Sequence, residues 1–128
     1  MNFTKTKIEP NYHNPEGVAV FNIKDITLPD DFDAKEQYFV KFPPGGIGGN
    51  HKHPRTEIFL VTGDGMTFVW QDKDGIIHQE NMCADGYFLY RVNPWLPHAV
   101  INNSKESIGT MIEFADGPQT DVEHIKLI

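Results

Sequence analysis

Turn-forming residues recur so closely along this chain that no segment carries a helical apolar stripe over three turns. Between the turns lie runs of five or six residues that are rich in aromatic and β-branched side chains, which is typical of β-strands. The candidate strands are residues 18–23, 37–42, 57–62, 66–71, 76–80, 87–92, 98–102 and 109–114. Many short, evenly spaced strands predict an all-β sandwich or a small jelly-roll barrel, in which ligands bind where strand side chains converge.

The turns also predict two hairpins. Residues 62–65 read Thr-Gly-Asp-Gly and residues 72–75 read Asp-Lys-Asp-Gly, and both sequences favour a tight reversal between neighbouring strands. The polar tail, residues 115–128, is expected to cover a sheet edge or to pair across a dimer. No repeat, low-complexity tract or linker interrupts the 128 residues, so we expect a single domain over residues 1–128.

Charge, hydropathy and cysteine content argue against several classes of partner. The net charge is −7 and the Lys and Arg residues form no run, which argues against nucleic acid as a ligand. No segment approaches the ~20 apolar residues of a membrane span, and no apolar segment follows the N-terminal lysines as it would in a secretory signal. The single cysteine, Cys83, suits a reducing compartment. We therefore expect a cytoplasmic protein whose partners are small molecules.

One short stretch contains a candidate metal site. On an extended strand successive side chains alternate between faces, so His51, His53 and Glu57 point the same way. Two imidazoles and one carboxylate on one face are typical ligands of a divalent transition metal. His98 follows a Pro-rich turn at residues 93–97 and can complete the ligand set. The donors do not select the metal, since Zn²⁺, Fe²⁺, Mn²⁺, Ni²⁺ and Cu²⁺ all accept them.

The same residues resemble the two motifs of the cupin superfamily. Residues 45–57 read Gly-(x5)-His-x-His-(x3)-Glu, which is similar to the first motif, and residues 97–102 read Pro-His-Ala-Val-Ile-Asn, which is similar to the core of the second. The resemblance implies a cupin-type jelly-roll β-barrel (double-stranded β-helix) with its core at about residues 37–114. It also implies that the three histidines and the glutamate are all metal ligands, and that the protein is a homodimer. The turn at residues 93–97 departs from the usual second motif.

A narrower resemblance bears on the reaction. Residues 49–61, together with the Pro-Trp-x-x-His turn, look like the cupin domain of capsular-polysaccharide assembling proteins. This likeness implies a nucleotide-sugar epimerase or isomerase of polysaccharide biosynthesis, in which a metal polarises a keto sugar and a side chain moves the proton. Cupins host many functions, so two alternatives stay open. One is a non-haem metal dioxygenase with a small chelating substrate, and the other is a ligand-binding or structural cupin without turnover.

Further polar side chains on or beside the candidate strands are predicted to line the pocket. The candidates for proton transfer are Tyr90, His78 and Glu80. The candidates for substrate binding are Arg55, Arg91, Trp95 and Tyr38. The two arginines would give a phosphate local positive charge that the chain as a whole does not offer. Asn102 is interpreted either as a residue that orients a metal ligand or as a turn residue that ends its strand.

Overall fold

A computed structural model describes residues 3–128 as an antiparallel β-structure. Within these residues the only helical element is one 3-10 turn, Ile23–Asp25. The strands are β1 (Phe3–Ile8), β2 (Tyr12–His13), β3 (Ala19–Val20), β4 (Glu36–Phe42), β5 (Ile47–Lys52), β6 (Glu57–Thr62), β7 (Met66–Gln71), β8 (Ile77–Asn81), β9 (Tyr87–Val92), β10 (His98–Asn102), β11 (Gly109–Ala115) and β12 (Glu123–His124). No helix in the described part of the chain has the length and apolarity needed to span a membrane.

Ten of these strands form two five-stranded sheets that pack face to face. The first sheet has the order β1-β9-β6-β11-β4, and the second has the order β12-β5-β10-β7-β8. All strand pairs in both sheets are antiparallel. From β4 to β7 the chain passes repeatedly from one sheet to the other, as it does in a jelly roll. The prediction of an all-β jelly roll is therefore confirmed.

An aromatic core fills the space between the sheets. Phe68 and Tyr90 have no exposed surface, and their ring centroids lie 5.1 and 6.1 Å from that of Phe3. Alternate residues of each strand face the partner sheet, so period two decides which side chains enter this core. Burial of a large apolar side chain stabilises the fold by about 1.5–3 kcal/mol. The core thus fixes the spacing of the strands that carry the candidate ligands.

A second apolar cluster covers the outer face of the first sheet. Ile58, Leu60 and Leu89 point outward and are still buried, because Phe32 and its neighbours pack over them. β6 is therefore buried on both faces, which explains why it reads as the continuous apolar run Ile-Phe-Leu-Val. Its first residue, Glu57, is carried into the interior with it.

The two predicted hairpins have different outcomes. Residues 72–75 join β7 to β8 as predicted, with a hydrogen bond of 2.9 Å from Asp72 N to Ile76 O. The hairpin prediction for residues 62–65 was wrong, because that turn carries the chain from β6 in the first sheet to β7 in the second. Met66 is fully buried at the start of β7, so core packing directs this strand towards β10 instead of β6.

The predicted strand at residues 18–23 is also shorter than expected. Only Ala19 and Val20 pair, with the equally short β2, and the chain then turns through the 3-10 element. Both strands of this hairpin lie mostly exposed, so no core contact extends them.

The two open sides of the sandwich are closed differently. On one side Lys5 of β1 and Glu80 of β8 form an ion pair of 3.0 Å between the two sheet edges. On the other side residues 116–128 cross from β11 to the second sheet, where β12 pairs with β5. The prediction that the tail covers a sheet edge is therefore confirmed. The edge that it covers belongs to the strand of His51.

The core can be tested with two identical substitutions. Phe68→Ala should lower the free energy of unfolding by about 3–5 kcal/mol, because it leaves a cavity between the sheets. Phe39→Ala is the control, since Phe39 is 76% exposed and its loss should change stability by less than about 0.5 kcal/mol. Urea denaturation followed by circular dichroism measures both. Equal losses in the two variants would contradict the assignment of the core.

Candidate metal centre

The four predicted ligands lie at one end of the interior, on strands of both sheets. His51 is in β5, His53 follows that strand directly, Glu57 begins β6 and His98 begins β10. His98 is in register with His51 across the β5–β10 pair. Residues directly opposite each other in an antiparallel pair share a face, so both rings point into the same space. The structure thus brings together two motifs that are some 40 residues apart in the chain.

The close contact of β5 and β10 at this point requires a glycine. Gly49 has φ +93°, and a Cβ atom there would lie 2.9 Å from His98 O and 3.0 Å from Ala99 Cα. The strand register also shifts here, between His98 and Ala99. A residue with a side chain would be strained in this conformation and would push the strands apart. The glycine-rich segment at residues 45–49 therefore helps to bring two ligand-bearing strands together.

The four side chains converge on one point. The ring centroids of the histidines are 4.7 Å apart for His51 and His53, 5.0 Å for His51 and His98, and 5.1 Å for His53 and His98. One donor atom from each histidine and from Glu57 can be chosen so that all four atoms lie within 4.8 Å of one another. His53, Glu57 and His98 are buried, and His51 is half-buried.

Unpaired donors and their spacing both fit a metal ion. Among the described residues neither ring nitrogen of His53 has a hydrogen-bond partner although the ring is buried, and such a group is costly to leave unsatisfied. Glu57 Oε1 lies 3.2 Å from His53 Nε2 and 3.1 Å from His98 Nε2. Two ligands of one ion, each about 2.1 Å from it and 90–109° apart, are separated by about 3.0–3.4 Å. The group can therefore hold a divalent metal ion.

Electrostatics prepare the same side chains for a cation. Burial and the neighbouring His98 and His53 rings lower the pKa of His51 to about 4, so its ring is neutral at pH 7. Burial alone would raise the pKa of Glu57, but contacts with His53 and His98 outweigh it, and the pKa lies well below its usual range. His98 Nδ1 lies 2.7 Å from Leu96 O, so it donates to that carbonyl and leaves Nε2 as the metal-binding nitrogen.

A buried arginine links Glu57 to a second carboxyl group that sequence reasoning missed. Arg55 Nε donates to Glu57 Oε2 at 2.9 Å, and Arg55 Nη2 donates to Glu113 Oε2 at 2.8 Å. Burial and the Glu57 carboxylate raise the pKa of Glu113 to about 9, so Glu113 holds a proton at pH 7. One signal could have revealed Glu113: it is in phase with Met111, which faces the core from the same strand.

A cavity of about 150 Å³ opens beside these residues. Most of its wall is apolar, formed by Val40, Phe42, Phe59, Val100 and Met111. Its polar lining comes from three of the predicted ligands, from Arg55 and Glu113, and from Gln119 of the tail. A larger cavity of about 510 Å³ lies on the outer face of the first sheet, and none of the predicted ligands lines it. The smaller cavity is therefore the candidate site.

The three candidates for proton transfer lie elsewhere. Tyr90 is in the core and its hydroxyl donates to Glu80 at 2.5 Å; burial and this contact raise the pKa of Tyr90 well above its usual range. His78 pairs with Asp72 at 2.7 Å and stacks on Trp70 near the edge of the second sheet. None of the three is among the described residues that line the candidate cavity.

Of the four candidates for substrate binding, Arg55 alone lines the cavity among the described residues. Tyr38 accepts a hydrogen bond of 3.4 Å from Arg55 Nη1. Arg91 makes a two-pronged ion pair with Asp31 at 2.9 and 3.0 Å, on the outer face of the first sheet. Both arginines thus have carboxylate partners, which reduces the positive charge that either can offer to a phosphate.

Asn102 and Trp95 act on the loops near the site. The side-chain amide of Asn102 donates to the backbone oxygens of Phe42 and Ser107 at 3.1 and 2.8 Å, which favours its interpretation as a turn residue. Among the described residues it makes no hydrogen bond to a predicted metal ligand. Trp95 has φ +68°, and its backbone N donates to His53 O at 2.8 Å. This bond holds the loop before His98 against the first motif.

Comparison with known proteins finds the same fold at low sequence identity. No protein-family model matches the chain, and no curated protein matches it by sequence. Among solved structures, a dTDP sugar isomerase from Desulfovibrio desulfuricans G20 aligns with a TM-score of 0.72 and 16% identity, over 98% of this chain and 84% of that one. A mutant of the 3,4-ketoisomerase QdtA from Thermoanaerobacterium thermosaccharolyticum, in complex with TDP-4-keto-6-deoxyglucose, aligns with a TM-score of 0.65 and 16% identity, over 95% and 86% of the two chains.

A third similar structure is the capsular polysaccharide assembling protein CapF from Staphylococcus aureus. It aligns with a TM-score of 0.64 and 17% identity over 83% of this chain, and the alignment spans only 35% of its length. The sequence of residues 49–61 resembles the cupin domain of capsular-polysaccharide assembling proteins, as described above. Together with the motifs, these alignments confirm the cupin-type jelly-roll fold.

Loss of a ligand should remove the metal. His51→Ala and His98→Ala should each lower metal affinity by more than about tenfold, because each removes one of four donors. His78→Ala is the matched control, since His78 pairs with Asp72 away from the cavity. Elemental analysis of tag-free protein measures the metal bound to each variant. Full metal content in both ligand variants would refute the four-ligand site.

Proposed function

We propose that this protein is a metal-dependent enzyme that isomerises a nucleotide-linked keto sugar. The observation that carries the proposal is the convergence of three histidines and one glutamate beside a cavity of about 150 Å³, which three of these four residues line. A purely structural metal site is closed by protein ligands, whereas a catalytic site keeps room for substrate. The cavity provides such room, so this arrangement favours an enzyme over a structural or non-catalytic cupin.

Similarity to known proteins supports the substrate class. Two of the proteins with this fold are named as sugar isomerases, and structures exist of a QdtA mutant with TDP-4-keto-6-deoxyglucose and of QdtA with TDP. The likeness of residues 49–61 to capsular-polysaccharide assembling proteins points to the same chemistry. At 16–17% identity the alignments establish the fold alone, so the substrate is our proposal.

The cavity contains the groups that such a reaction needs. Isomerisation of a keto sugar moves a proton from one carbon to its neighbour, while the carbonyl and hydroxyl groups exchange places. A bound divalent ion would polarise the carbonyl oxygen and so acidify the adjacent C–H bond. Glu113 lines the cavity, and Arg55 fixes its orientation. A cation bound to Glu57 would offset the negative charge that helps to raise the pKa of Glu113, so Glu113 could lose its own proton and then carry the exchanged one. Phe42, Phe59 and Met111 would keep water from the reacting carbon.

Cavity size limits how a nucleotide sugar can bind. A volume of about 150 Å³ is smaller than the roughly 300–1,000 Å³ of pockets that enclose a whole ligand. The reacting part of the sugar would therefore enter, and the nucleotide would lie outside. Gln119, an exposed residue that also lines the cavity, marks the rim at which the two parts would meet.

A non-haem metal dioxygenase is the second candidate. Two observations favour it. The apolar wall of the cavity suits a small apolar substrate, and Arg55 already contacts the carboxyl groups of Glu57 and Glu113, so it is not free to bind a diphosphate. In this case Fe²⁺ would be the active metal, and the reaction would consume O₂.

Two further features of the protein are part of the proposal. A homodimer is supported by β4, which lies at an edge of the first sheet with no strand beyond it among the described residues. The unpaired backbone groups of an edge strand are a surface that proteins usually cover by pairing. A cytoplasmic location is supported by the lone thiol of Cys83, which forms no disulfide within the described chain.

The proposed reaction can be followed by hydrogen exchange. In D₂O, protein loaded with each candidate metal should incorporate deuterium into TDP-4-keto-6-deoxyglucose or a related nucleotide keto sugar, detected by proton NMR. Glu113→Gln should lower kcat by about 10²–10⁴-fold with metal content retained, because the amide cannot carry the exchanged proton. Glu106→Gln, on an exposed loop, is the matched control.

Each other outcome has a defined meaning. Full activity in Glu113→Gln would exclude Glu113 as the proton carrier. Absence of exchange with every metal and every keto sugar tested would reject the isomerase. Oxygen uptake by the Fe²⁺-loaded protein with small chelating substrates would then favour the dioxygenase.

A further inference from the structure

We propose that Arg55 is a positioning residue that restricts Glu57 to a single metal-binding oxygen, an inference that rests on the metal site of the proposed function. The sequence predicted that Arg55 binds substrate, and its position in the structure suggests a different role. Its guanidinium lies behind Glu57, as seen from the histidines, and contacts the carboxylate oxygen that the histidines do not.

The two oxygens of Glu57 have separate environments. Oε1 lies 3.2 Å from His53 Nε2 and 3.1 Å from His98 Nε2, on the side where the histidine rings converge. Oε2 lies 2.9 Å from Arg55 Nε and 2.7 Å from Arg55 Nη2. Rotation of the carboxylate to present both oxygens to one ion would break both contacts with the arginine. Glu57 is therefore held as a monodentate ligand.

Arg55 is itself held in place. Nη2 contacts Glu113 Oε2 at 2.8 Å, and Nη1 donates to Gly117 O at 3.2 Å and to Tyr38 Oη at 3.4 Å. Only 8% of the arginine side chain is exposed. A planar guanidinium with a partner at each nitrogen cannot turn without losing several hydrogen bonds at once. The orientation of Glu57 is therefore built into the folded chain.

The consequence concerns the number of positions left for substrate. Three imidazoles and one carboxylate oxygen would fill four of the positions around a six-coordinate ion, whereas a bidentate carboxylate would fill a fifth. A substrate with adjacent carbonyl and hydroxyl oxygens needs two positions. By holding Oε2, Arg55 would keep both positions open, so it would act on the reaction through Glu57.

The test compares metal affinity and metal coordination in matched variants. Arg55→Lys keeps a positive charge but loses the fork of donors, and Arg55→Gln loses both the charge and the fork. Arg91→Lys is the control, because Arg91 forms a two-pronged ion pair with Asp31 away from the site. Co²⁺ affinity is measured by competition with a chromophoric chelator. The visible absorption spectrum of the Co²⁺-saturated protein reports coordination number, and circular dichroism confirms that each variant is folded.

We expect both Arg55 variants to bind Co²⁺ about 10–100-fold more weakly than the unaltered protein and to change its spectrum, with Arg91→Lys unchanged in both respects. A merely structural role for Arg55 would leave the spectrum of the saturated, folded protein unaltered. Unchanged affinity and spectrum in both variants would overturn the inference while leaving the metal site intact. If the unaltered protein binds no Co²⁺, the metal proposal fails and this inference fails with it.

A further variant covers the case in which neither Arg55 variant folds. Glu113→Ala leaves Arg55 in place and removes one of the contacts that orient it. Looser positioning should weaken Co²⁺ binding severalfold and alter the spectrum in the same direction. Binding identical to that of the unaltered protein would contradict the inference.

Discussion

Glu57 is a carboxylate buried between two β-sheets, and the site is built from the groups that compensate for its burial. An isolated charge in such a place is strongly unfavourable unless hydrogen bonds and opposite charges surround it. Arg55 supplies them on one side, and the His53 and His98 rings lie on the other. Arg55 also contacts Glu113 and the backbone of Gly117. The Glu57 carboxylate of β6 is therefore linked to β10 through His98, and to β11 and the tail through Arg55. Removal of any partner would leave a charge that the others must accommodate.

Local patterns in the sequence were sufficient to predict much of the fold and the candidate ligands. Strands such as β7 and β9 follow from runs of aromatic and β-branched residues between turns, and such a run needs no knowledge of its neighbours. The pairing of His51 with His53 follows from alternation within one extended segment. His98 was found through its resemblance to a second motif, and the strand pairing that places it beside His51 became visible only in the structure.

Features that depend on contacts between distant segments could not be predicted in this way. The turn at residues 62–65 has hairpin chemistry, and yet it connects two sheets because the buried residues of β7 pair with β10. Glu113 is one charged residue in an apolar strand, and only the position of Arg55 shows why it is there. Arg55 itself looked like a phosphate ligand, since no local pattern reveals that two carboxyl groups meet its guanidinium.

The tail that covers β5 has a consequence for when the site forms during synthesis. Asn50, next to His51, accepts hydrogen bonds from the backbone of Ile125 and, through its side chain, from Leu127 and Ile128. The partners of this strand edge are thus translated more than 70 residues after the strand itself. Contacts so far apart in sequence form late, because the intervening chain must first be ordered. During synthesis the histidine of β5 would therefore be exposed until residues 125–128 have been made and can cover the edge of its strand.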